Sequence, residues 1–90
     1  MITLDEMKGY LRVDTTEDDD LISSLMGSAE ALCMDVARCE STEEFESLQN
    51  SHLAVLFTTA YMYEHREEAD YKDLTLTLRA LFFGERKAGF

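Results

Sequence analysis

Residues 21–38 read LISSLMGSAEALCMDVAR. Ile22, Leu25, Met26, Ala29, Leu32, Cys33 and Val36 recur at steps of three and four. An α-helix gathers residues at those steps into one stripe, whereas a strand alternates its faces every second residue. Ser24, Ser28, Glu30 and Asp35 fall on the other faces. The stretch therefore predicts a long amphipathic helix from about Glu17 to Arg38, and it points the whole chain toward an all-α fold.

Upstream lies LRVDTTEDDD, residues 11–20, with five carboxylates in a short space. A calcium loop would need oxygens at positions 1, 3 and 5, glycine at 6 and glutamate at 12. Counted from Asp14, positions 6 and 12 fall on Asp19 and Leu25; counted from Asp18, position 12 falls on Ala29. The pattern fails in both frames. The segment reads instead as a helix start, with Thr15 or Thr16 as cap and Asp18 or Asp19 three residues on. Acids in a first turn also favour the positive end of the helix dipole. Before it, Thr3 and Glu6 form a capping box, and Leu4, Met7 and Leu11 share a face, so a short helix runs from Thr3 to about Leu11.

Downstream, Ser41 or Thr42 opens a third helix, expected to run unbroken to about Arg66. Phe45, Leu48, His52, Val55, Leu56, Thr59 and Met62 make one face; Leu53, Phe57, Ala60 and Tyr61 make a second. A helix apolar over so much of its girdle is central, and its second face is a candidate subunit interface. His52, on the apolar face, is expected to be packed. The last segment, DLTLTLRALFF (residues 73–83), alternates like a strand, yet Leu74, Leu78, Leu81 and Phe82 also suit a helix. A lone strand could not satisfy its backbone, so helix is expected, stopped by Gly84.

The expected fold is thus a compact all-α bundle of about four helices in a single domain spanning residues 1–90. The composition agrees, with 46% apolar residues, four glycines and no proline. No apolar run is long enough to span a membrane, and the start, MITLDEMKGYLR, is too acidic for a signal peptide. Cys33 and Cys39 lie six apart, a spacing that turns them to different helix faces, so reduced thiols are expected.

Net charge is −11, and it is uneven. The first fifty residues hold thirteen acids against three bases; the last forty hold six against five. Such a body does not wrap phosphate backbones, which takes clustered Lys and Arg. It does allow head-to-tail attraction between copies. Cys33, Cys39, His52 and His65 match no zinc spacing, and no nucleophile or glycine-rich phosphate loop is present. No catalytic residues, metal or cofactor are therefore assigned. Tyr61–Glu68, YMYEHREE, supplies candidate interface residues in Tyr61, Tyr63 and Arg66, with Phe57 on the preceding turn. Phe83, Arg86, Lys87 and Phe90 near the C-terminus are candidates for docking to a neighbour.

The order of these features resembles a known family. Leu4, Lys8, Tyr10-Leu11-Arg12-Val13-Asp14, an acidic run, the helix from Leu21, then Tyr63-Glu64-His65-Arg66-Glu67 and a Leu-rich segment closing on Arg86 look like the small head–tail connector (adaptor, or head-completion) proteins of tailed bacteriophages and prophages. The resemblance covers nearly the whole chain. It departs from the family pattern in a short segment between the long helices and in lacking prolines before the last helix.

The resemblance implies a structural subunit of the virion that forms a ring beneath the portal protein, made in the host cytoplasm and joined to the head after DNA packaging. It implies as partners further copies of itself, the portal, and a stopper or tail-completion protein. Double-stranded DNA would pass through the lumen without specific binding, and Asp18, Asp19 and Asp20 are candidate lining residues that would repel its phosphates. Composition alone leaves open an alternative, a small acidic regulatory protein that mimics DNA charge.

Overall fold

A computed structural model describes residues 2–66 and 71–83. Among the described residues five helices follow one another: α1 (Leu4–Leu11), α2 (Asp19–Ala37), α3 (Thr42–Glu46), α4 (Ser51–Glu64) and α5 (Lys72–Phe82). Among the described residues there is no strand. The all-α expectation holds, including the helical reading of residues 74–78.

Local chemistry sets several of the ends. The Thr3 hydroxyl accepts the Glu6 N–H at 3.1 Å, and the Ser41 hydroxyl accepts the Glu44 N–H at 3.1 Å. Glu44 also reaches back to the Glu40 N–H at 3.0 Å. These bonds satisfy donors that a helix start leaves open. α1 and α2 close alike, on an arginine in the left-handed region: Arg12 at φ 61° and Arg38 at φ 59°. In each case the next residue turns its N–H back, Val13 to Lys8 at 3.0 Å and Cys39 to Met34 at 2.9 Å. Glycine usually fills such a position, and a side chain there costs roughly 1–2 kcal/mol.

Two boundaries depart from the sequence reading. The first is the start of α2. Neither Thr15 nor Thr16 caps it by its side chain; Asp18 occupies the cap position without a side-chain capping bond. Thr16 supplies only its carbonyl, which accepts the Asp19 N–H at 3.3 Å. The Asp18 carboxylate is drawn away to Tyr63.

The second is a break in the expected third helix at residues 47–50. Ser47 Oγ donates to the Glu44 carbonyl at 2.6 Å, and Ser51 Oγ to that of Leu48 at 3.0 Å. Short hydroxyl side chains compete in this way for helical carbonyls. The backbone tightens to three-residue turns, Leu48 to Phe45 and Ser51 to Leu48. Asn50 Nδ2 then donates to the Leu81 carbonyl at 3.1 Å, tying the break to the end of α5. The break frees α3 to aim Phe45 inward, where its ring meets Phe82 at 5.9 Å, while α4 runs along α2.

α4 packs against all four other helices, as expected of a central element. Ala54, Val55, Leu56, Thr58, Thr59 and Met62 are buried on it. His52 is not: it is exposed, and its Nε2 lies 2.5 Å from Glu6 Oε2. The residue lies toward α1, whose first turn offers a carboxylate, and an imidazole there keeps its hydration.

The core has two parts. The larger joins Ala29, Cys33 and Ala37 of α2 to Phe45, Ala54, Val55 and Met62, and to Leu74, Leu78 and Phe82 of α5. The smaller joins Met7, Ile22 and Leu56, flanked by Leu4, Leu11, Met26 and Tyr63, and docks α1. Cys33 and Cys39 are not joined in a disulfide.

Candidate interaction surfaces

The α1–α2 junction uses its acids unequally. Tyr63 Oη donates to Asp18 Oδ2 at 2.6 Å. That bond, with partial burial and the aspartate charge behind it, raises the tyrosine's pKa above its ordinary value; Arg66 pulls the other way. The Arg66 guanidinium lies over the Tyr63 ring at 4.7 Å and donates to its carbonyl at 2.9 Å. Asp19 Oδ1, shut off from water, meets Lys8 Nζ at 2.8 Å. Asp18 and Asp19 are thus fasteners within the chain, one to α4 and one to α1. Asp20 is exposed, as are Asp14 and Glu17. Among the described residues no cluster of His, Cys, Asp and Glu is arranged to hold a metal ion.

The outward strip of α4 carries Leu53, 50% exposed, and Phe57, 36% exposed. Phe57 leads to Tyr61, with ring centroids 6.5 Å apart, and Tyr61 stacks on His65 at 4.2 Å and meets Tyr71 at 6.3 Å. The four residues singled out around this helix therefore do not form one surface. Phe57 and Tyr61 belong to an aromatic row running toward α5, whereas Tyr63 and Arg66 close the α1–α2 junction. Phe83, just past α5, is 70% exposed. Arg86, Lys87 and Phe90, with the helix stop expected at Gly84, lie outside the described residues.

A third surface had no signal in the sequence pattern. Between the C-terminal half of α2 and α5 runs an open groove of about 430 Å³, lined by Leu32, Asp35, Val36, Arg38, Thr75 and Arg79. Both arginines are exposed, and neither has an ion-pair partner among the described residues. Arg38 could have been noticed as one of only three bases in the first fifty residues. Its meeting with Arg79 depends on how α5 folds back.

Cys33 lies apart from these surfaces. Its Sγ sits 3.3 Å from Thr58 Oγ1 in the core. Burial pushes the thiol up to about 11, opposed by the Thr58 contact and helped by the Glu30 charge. Such a thiol stays neutral and serves as core packing.

The comparison of the chain with protein families gives a match over residues 1–85 to the family described as “Phage gp6-like head-tail connector protein”. No curated protein and no solved structure matches it significantly.

Proposed function

This chain belongs to the phage gp6-like head-tail connector family, and from that premise we propose that it forms a ring beneath the portal. The ring extends the DNA channel and presents the next docking surface to a tail-completion protein. The family is structural, a component of the virion that joins head to tail, and the match over residues 1–85 is the observation that carries the reading. No helix among the described residues is long and apolar enough to cross a membrane.

Two features support the ring. A chain of ninety residues buries a modest core, and Leu53 and Phe57 leave apolar surface on its central helix for a neighbour. The acid surplus of the first half suits a channel wall, since like charge keeps phosphates from adhering. Of Asp18, Asp19 and Asp20, only Asp20 is exposed with no partner among the described residues, which favours it for the lining role. The charge-mimic alternative draws on the same net charge but has no counterpart in the family match.

The test is genetic and electrostatic together. Removing the gene from the phage that encodes it should leave DNA-filled heads without tails. Asp20→Lys should assemble yet retard DNA ejection and hold duplex DNA at low salt. Infectious particles made without the chain would overturn the connector reading, and unchanged DNA retention would remove Asp20 from the channel wall.

A further inference from the structure

Free acid and free base stand at opposite ends of α2. At the N-terminal end Asp14 and Glu17 are exposed on the loop, with no partner among the described residues, while their neighbours Asp18 and Asp19 are taken by Tyr63 and Lys8. At the C-terminal end Arg38 and Arg79 flank the α2–α5 groove beside Leu32 and Val36, also with no ion-pair partner among the described residues. The helix has nineteen residues, about 28 Å at 1.5 Å per residue. That distance is about three Debye lengths near physiological salt, so the two pairs do not neutralise each other there within one subunit.

We infer that the groove receives the loop of residues 14–17 from a second copy, with Asp14 and Glu17 meeting Arg38 and Arg79. The inference rests on the ring reading and names its contact. Two guanidiniums are offered to two carboxylates, the pairing that arginine's fork geometry favours most. The methyl groups of Thr15 and Thr16, between the acids, suit the apolar walls of Leu32 and Val36. Asp35, in the same wall, repels a carboxylate placed out of register and so helps fix the pose. Because donor loop and acceptor groove are different patches, the contact is heterologous; repeated from copy to copy, it closes into a ring when the rotation divides the circle.

The test is a charge swap in the full chain, read by sedimentation velocity at low salt up to millimolar concentration. Arg38→Glu with Arg79→Glu should weaken self-association on the order of tenfold or more, and so should Asp14→Lys with Glu17→Lys. An equimolar mixture of the two variants should recover it, because each groove then faces a loop of opposite sign. Added salt should weaken association of wild type and mixture alike. Arg38→Asn with Arg79→Gln removes the charge while keeping a residue that tolerates the left-handed backbone, so a folding defect is separable by circular dichroism. Wild-type association that no variant alters would overturn the groove contact and leave the ring standing. No association of the wild-type chain, alone or on portal, would overturn both. Loss of duplex-DNA retention in the arginine variants, with self-association intact, would assign the groove to phosphate and overturn the proposal as well.

Discussion

The two ends of α2 are held by different physics. The C-terminal end lies in the larger core, between the Phe45–Phe82 ring pair and the buried face of α4. The N-terminal end rests on three fully or nearly buried side chains, Met7, Ile22 and Leu56. It is then closed by polar fasteners, Lys8 to Asp19 and Tyr63 to Asp18. Apolar burial is insensitive to ionic screening and, near neutrality, to pH; the fasteners are sensitive to both. One helix therefore joins a robust end to a tunable one, and α1 is expected to open locally before the rest unfolds.

The largest effects should separate the two cores. Phe45→Ala removes a fully buried ring and its contact with Phe82, and should cost about 3–5 kcal/mol of global stability in urea unfolding. Met7→Ala should cost less, about 2–3 kcal/mol, near the lower end for such truncations, because a smaller cluster can collapse around the gap. It should also raise hydrogen exchange in α1 selectively. A Met7→Ala variant less stable than Phe45→Ala would reverse the ranking of the two ends.

The fastener comes next. Lys8→Met keeps the apolar stem of the lysine but leaves the shielded Asp19 oxygen without its cation. An unpaired buried acceptor of this kind costs about 1–3 kcal/mol. The loss should appear as faster exchange in α1 and at the start of α2, with α5 unaffected. Uniform exchange across the chain would show that the two ends are one cooperative unit.

What the sequence made legible follows from the range of each interaction. The stripe of α2, the Leu74–Leu78–Phe82 face and the caps at Thr3 and Ser41 depend on residues within a turn or two, so periodicity and residue type sufficed. The break at 47–50 was missed because its serines also fit a helix; the gain that decides it is Phe45 reaching Phe82, thirty-seven positions away. The acids of residues 18–20 looked equivalent in sequence. Their division into two internal partners and one exposed carboxylate depends on Lys8 and Tyr63, which approach only once α1 and α4 have packed. The arginine groove is non-local in the same way.

The smallest effect concerns pH and tests the tunable end alone. Tyr63 is a neutral donor to Asp18, and its pKa in the folded chain is raised above the ordinary value of about 10. A group raised on folding contributes its stabilisation fully below the unfolded pKa and loses it as pH climbs through the folded one. The Asp18–Tyr63 fastener should therefore be intact at pH 8 and should release the start of α2 from α4 progressively above about pH 10. Tyr63→Phe removes the hydroxyl, so this alkaline step at the start of α2 should vanish while the variant is slightly less stable at neutral pH. Cys33 titrates with the same sign, toward about 11, but in the larger core, so Tyr63→Phe should leave that second step unchanged. Alkaline titration followed at the long-wavelength phenolate band, where thiolate does not absorb, and compared between wild type and Tyr63→Phe alongside helix content, isolates the Tyr63 step from that of the thiol. A step of equal size at the start of α2 in Tyr63→Phe would show that the tyrosine hydroxyl does not hold that end of the helix.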